Sequence, residues 1–231
     1  MRTLALALAC LAAACGPVGA GAPEPLPTAT VRFTPEPAAT PTPRPTPPPC
    51  PAGSFVVGEG SEAIVRVREQ VGFIPAPFDA VMTTKAIAGS FRLDSNGAFE
   101  ACSRIEVDVR TVRSADTALH PEILNRDRAI EELLGSRRFP SAVLVPLLTV
   151  GLPSPLPERG EWTLTLTGKL TIREIERSST WRVVARRDGA TISATATTEF
   201  GFEDYSIERP SQVLSLQDKI RLEIKLVARQ T

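Results

Sequence analysis

The sequence predicts an all-β domain, a closed antiparallel barrel of eight or nine strands with one short helix in a long connection. Apolar residues recur at every second position through most of residues 54–231, the period of strands with one dry face. Glycine-containing turns separate these runs, and only one stretch shows helical spacing instead. Long antiparallel strands of this kind leave no exposed edge when the sheet closes. A two-sheet sandwich is the competing arrangement.

Short runs at 55–58 and 62–69 open the domain, and Ile87, Gly89, Phe91 and Leu93 mark a strand over 86–94. Ile105, Val107 and Val109 mark the next, over 98–111. A two-residue loop at Asn96-Gly97 would set Leu93 against Glu100. A three-residue loop Ser95-Asn96-Gly97, with Gly97 left-handed in a bulge, sets Leu93 against Phe99 and Ile87 against Ile105, and turns Cys102 outward. The stretch Leu124–Leu134, LNRDRAIEELL, has helical spacing, with Asn125 or Asp127 to cap its start and Gly135 to end it. Strands over 142–150, 161–173, 178–187, 190–200 and 218–228 complete the domain. Asp188-Gly189 suits a two-residue hairpin that sets Ala185 opposite Ile192, Val183 opposite Ala194 and Trp181 opposite Ala196.

The segment Glu161–Arg173, EWTLTLTGKLTIR, poses the functional question: what does its dry face touch? The candidate lining comprises Phe91, Ile105, Val107, Leu144, Trp162, Leu164, Leu166, Gly168, Leu170, Trp181, Val183, Ala185, Ile192, Ala194, Ala196 and Phe200. Gly89, Gly168, Ala142, Ala185, Ala194 and Ala196 are small where larger residues would fill space, which points to room for a ligand in an eight-stranded barrel. The alternative is that Trp162, Trp181, Phe91, Phe99 and Phe200 fill those gaps.

The chain starts MRTLALALACLAAAC, an arginine and a short apolar run closed by small residues, which is the grammar of an export signal. Leu11-Ala12-Ala13-Ala14-Cys15-Gly16 resembles a bacterial lipobox, giving a signal segment over 1–15 and lipidation of Cys15, with Cys10 a competing position. Residues 16–53 read as a Pro/Thr-rich linker, since thirteen of the 22 prolines lie between Pro17 and Pro51 among few large apolar residues. Residues 54–231 form the barrel domain. In an oxidising compartment Cys50 and Cys102 make an even pair for a disulfide, two free thiols being the alternative.

Formal net charge is zero, so no electrostatic case exists for nucleic acid as a partner. Arg173, Arg177, Arg182, Arg186 and Arg187 cluster in sequence, mostly at outward parity, and read as a solvated barrel exterior rather than a head-group site. His120 is the only histidine, so no Ser-His-Asp or multi-histidine metal constellation can be assembled. Glu106, Asp108, Glu161 and Glu199 project outward. No enzyme activity, metal or cofactor is expected.

Several motifs in this order resemble the YceI-like family of exported polyisoprenoid-binding proteins: Arg126-Asp127-Arg128, Arg138-Phe139-Pro140 before Ala142-Val143-Leu144, the strand Leu166–Arg173, Thr198-Glu199-Phe200-Gly201-Phe202, and Asp218–Ile224. Glu174 stands where the family pattern carries glycine, and Leu152–Pro157 inserts a proline-rich loop. The resemblance implies an elongated, lipocalin-like eight-stranded barrel holding an isoprenoid or other long-chain lipid in its lumen. The joint expectation is an exported lipid-binding protein, lipid-anchored to the outer face of a bacterial membrane. The alternative is a stalk-displayed adhesion or interaction domain with a filled core.

Overall fold

The computed structural model describes residues 49–70, 76–115, 125–209 and 215–231. The expected signal segment with Cys15, the linker as far as residue 48, Leu124 and His120 lie outside them.

The strands are β1 (Phe55–Val57), β2 (Glu62–Gln70), β3 (Phe78–Thr84), β4 (Ile87–Phe91), β5 (Arg104–Asp108), β6 (Arg113–Ser114), β7 (Ser141–Val150), β8 (Arg159–Ile172), β9 (Ile175–Asp188), β10 (Thr191–Phe200) and β11 (Ser215–Gln230), with helix α1 (Arg126–Leu134) between β6 and β7. Neighbours pair in the order β1-β4-β5-β7-β8-β9-β10-β11, and β1 pairs with β11 again, closing an eight-stranded antiparallel barrel. Closure depends on the length of β11. Its Ala228–Gln230 end pairs with β1, while Ser215–Lys225 pairs with β2, from which β3 and β6 continue as a flap.

Two turns differ from the sequence expectation in an instructive way. In the β9–β10 hairpin Asp188 pairs with Thr191, so the loop is Gly189-Ala190, and Ala185 faces Ala194 while Val183 faces Ala196. Gly189, at φ 59°, thereby takes the first central position, the place a type II′ turn keeps for glycine. The register moves by two residues, so every side chain keeps its face. In the other hairpin Leu93 does bridge Phe99, and Gly97 has φ 78°. The Asp94 carboxylate accepts from the backbone N–H groups of Asn96 and Ala98 at 2.8 and 2.9 Å. Beyond that bridge the partner chain makes an extra turn at Ala101-Cys102, so Gly89, not Ile87, faces Ile105, and β5 is shorter than 98–111.

That extra turn places Cys102. It is buried in a turn, not outward on a strand, and is bonded to Cys50 with Cα atoms 5.1 Å apart. Gly53 donates to the Thr231 carbonyl at 2.7 Å and Arg92 reaches the Ala52 carbonyl at 3.3 Å. The chain entering β1 is thus fastened across the end of β11.

Helix α1 buries Ile130 against Val109 and Val112 and ends on Gly135, whose N–H reaches the Glu131 and Glu132 carbonyls. Its expected N-cap differs: Asn125 makes no side-chain cap bond, and Asp127 accepts from the Ser114 N–H at 2.8 Å, tying the helix to β6. Arg126 pairs with Glu69 and lies over the Phe78 ring, so Arg126 and Asp127 dock helix to sheet, while Arg128 pairs with Glu132 along the helix itself. Arg138 and Arg173 stack on Phe139, with guanidinium carbons 5.0 and 5.6 Å from its centroid. Arg173 and Glu174 form the β8–β9 turn with φ 51° and 63°, the left-handed pair of a type I′ turn made without glycine.

Candidate functional site: an apolar cavity in one half of the barrel

The dry faces of β8, β9 and β10 enclose a cavity of about 100 Å³. Trp162, Leu164 and Leu166 line it from β8, Val183 and Ala185 from β9, and Ile192, Ala194 and Ala196 from β10. Phe91, Ile105 and Leu144 reach it from β4, β5 and β7. Room is made by three alanines on adjacent strands: Ala185 faces Ala194, which in turn faces Leu226 on β11, and Ala196 faces Ile224.

The other expected lining residues lie elsewhere. Trp181 is fully buried, and its Nε1–H donates to Ser179 Oγ at 2.9 Å. Leu170 belongs to the same filled region of core, and Phe200 sits edge-on to Tyr205 with centroids 4.9 Å apart. Gly168 is small for a different reason: a Cβ there would lie 2.7 Å from the Val145 carbonyl oxygen and 3.1 Å from Pro146 Cα. Gly89 likewise faces backbone, with a Cβ position 2.1 Å from the Arg104 oxygen. Val107 lies opposite Ile87 and Ala142, and Ala142 packs against the α1 cluster. The barrel is therefore divided. Trp181, Leu170, Phe200, Phe202 and Tyr205 fill the half nearer the Arg173-Glu174 turn, while the half nearer Gly189 holds the cavity.

Residues outside the expected lining close the cavity's end. Leu93 and Phe99 come from the bulged hairpin, Leu152 and Leu156 from the proline-rich loop after β7, and Pro146 and Thr149 from β7 itself. Thr149 Oγ1 donates to the Gly97 carbonyl at 2.8 Å, and Ser154 Oγ to the Ser95 carbonyl, so hairpin and loop are joined. Gly160 has φ 151°, and the Trp162 ring folds so close that a Cβ there would lie 2.5 Å from it.

Charge enters only at this end, from Arg186 and Arg187. Arg187 has inward parity, unlike its outward neighbours Arg182 and Arg186, and is half-buried. Its Nε–H donates to the Gly189 carbonyl at 2.8 Å, Nη1–H to the Leu156 carbonyl at 3.4 Å and Nη2–H to Gln230 Oε1 at 3.2 Å, with the guanidinium 5.4 Å above the Phe55 ring. In the filled half, burial pushes the Tyr205 hydroxyl pKa up to about 12. Among the described residues no three metal-ligating side chains come together.

A family model of the YceI-like domain matches residues 61–228. Among solved structures, a polyisoprenoid binding domain from Saccharophagus degradans implicated in plant cell wall breakdown superposes with TM-score 0.58 at 10% identity, covering 78% of this chain and 100% of that one. BcnA of Burkholderia cenocepacia superposes with TM-score 0.51 at 16% identity, covering 72% and 95%. At these identities the likeness is one of fold. No curated protein sequence matches. With nearly all of the barrel inside the matched segment, the chain belongs to the YceI-like family.

Proposed function

We propose that this protein binds the apolar tail of a long-chain amphiphile, a polyisoprenoid or similar lipid, in the open half of its barrel. The carrying observation is the cavity wall. Ala185, Ala194 and Ala196 stand together where a packed barrel would place larger residues, and the surrounding side chains from seven strands are almost all apolar. An engineered apolar cavity of about 150 Å³ accepts a benzene-sized guest, so a space of about 100 Å³ takes the leading carbons of a chain. Leu152 and Leu156 belong to a loop and not to the sheet, so a longer tail would enter by displacing that loop from its contacts with Ser95 and Arg187. The polyisoprenoid-binding relative of the same fold supports this reading.

Export and a lipid anchor at Cys15 complete the proposal. The Cys50–Cys102 disulfide supports an oxidising compartment. The protein acts by binding, without chemistry on its cargo.

Native mass spectrometry of the purified protein, followed by organic extraction, tests the binding reading. A co-purifying or added polyprenol held at one copy per chain is the expected result. A chain that takes up no lipid from a polyprenol series would support the adhesion-module reading instead. For the anchor, wild type partitions into the detergent phase and Cys15→Ser into the aqueous phase; aqueous wild type would remove it.

A further inference from the structure

The cavity's wall is apolar but its end carries a cation. Arg187 sits on the inward face of β9, two residues beyond Ala185, and lines the cavity together with Leu156 and Ile192. Its three hydrogen-bond partners are two backbone carbonyls and a side-chain amide. Among the described residues no carboxylate pairs with it. The adjacent acid, Asp188, is held by Arg159 at 3.1 Å, and Glu161 stands across from Arg186. A half-buried cation without a counter-charge is disfavoured relative to one in water, and an anion delivered to it recovers that loss. An arginine also carries five N–H donors in a planar fork suited to carboxylate and phosphate oxygens, and not all of them are used here.

We infer that Arg187 receives the head group of the bound amphiphile, and that this head is anionic, a carboxylate or a phosphate monoester. The inference rests on the lipid-binding reading and adds chemical selectivity to it. The tail lies along Ala185 and Ala194, and the head stops at the ring of mouth residues formed by Arg187, Trp162 and Leu156. Arg187 also ties together the Gly189 turn, the proline-rich loop and the end of β11. A purely structural role would show in stability alone, whereas a head-group role shows in the ratio of affinities for probes with one tail and different heads.

The probes are a fluorescent C18 polyene carboxylate, the alcohol of the same chain and its phosphate monoester, with inorganic phosphate as competitor. Wild type is expected to bind the two anions about tenfold or more tightly than the alcohol, as a charge-assisted hydrogen bond implies. Arg187→Gln should bring that ratio close to one, Arg187→Lys should restore part of it, and Arg182→Gln, an exposed change on the outward face, should leave it as in wild type. If Arg187→Gln does not fold, the wild-type ratio and Arg187→Lys decide the matter. Equal affinities in wild type, or a ratio that survives Arg187→Gln, would overturn the head-group assignment while leaving lipid binding intact. Displacement of the phosphate probe by equimolar inorganic phosphate would overturn it too, as a free-anion site. No uptake of any probe would overturn the lipid-binding reading, and the head-group assignment with it.

Discussion

Replacing Ala194 with phenylalanine puts a ring between Ala185 on β9 and Leu226 on β11, into the cavity of about 100 Å³. An engineered cavity of about 150 Å³ holds a benzene-sized guest, so the ring takes up all of this smaller space and presses on its far wall. The stability cost is then at most about 1–3 kcal/mol, the range for overpacking, offset by the apolar surface the ring buries. Binding loses much more. A tail shut out of the space of about four methylenes forfeits roughly 3 kcal/mol at about 0.8 kcal/mol each, a weakening of roughly 200-fold. Thermal unfolding and titration with a long-chain fluorescent probe measure the two effects on the same sample. A variant that stays folded and loses uptake supports the reasoning. One that is strongly destabilised yet takes up probe as wild type does would refute it.

Gly168→Ala should destabilise by about 1–3 kcal/mol, because its Cβ meets Val145 backbone at 2.7 Å, while probe affinity in the folded fraction stays at the wild-type value; unchanged thermal stability would contradict this. Glu174→Gly should stabilise by about 1 kcal/mol, since a left-handed residue at φ 63° carries a steric cost glycine avoids, and urea midpoints report it. Removing the disulfide with Cys50→Ser and Cys102→Ser should cost about 4 kcal/mol on the chain-entropy estimate for a sequence separation of 52, read from the same midpoints. Tyr205 is 2% exposed, with its pKa raised to about 12, against about 10 in an unfolded chain. The unfolded state ionises first, so the contribution is whole below pH 10 and is lost as pH climbs through 12. Between those limits wild type should lose up to about 2–3 kcal/mol relative to Tyr205→Phe; parallel pH curves for the two proteins would refute it.

Alternation made the barrel legible because the ring strands present large apolar side chains on one parity. It missed β3, where Phe78 at the strand's start is followed on the same face only by Ala80, Met82 and Thr84, with no further aromatic or branched apolar side chain to carry the pattern. It also missed β6, which is two residues long. Alternation fixes which face a residue occupies, not the level along the barrel where space remains. Ala194 and Gly168 look alike in sequence, yet one faces the cavity and the other faces Val145 backbone. At Gly168 the β7 backbone takes the space, and elsewhere in that half Tyr205 and Phe202 fill it from an irregular segment with no period to read. Arg187 was readable by parity, since Trp181, Val183 and Ala185 precede it at even spacing. Its charge masks that parity, because an arginine next to Arg186 reads as solvated.

The central claim is that an amphiphile's tail lies in the cavity beside Trp162. One of the protein's two tryptophans lines that space and the other, Trp181, is buried in the filled half, so a tail carrying a heavy-atom quencher distinguishes them. Titration with a chain brominated near its apolar end should quench wild-type emission saturably at one copy per protein, with most of the quenching absent in Trp162→Phe and the saturable phase absent in Ala194→Phe. Quenching that never saturates, or that is the same with and without the Trp162 indole, would contradict the account.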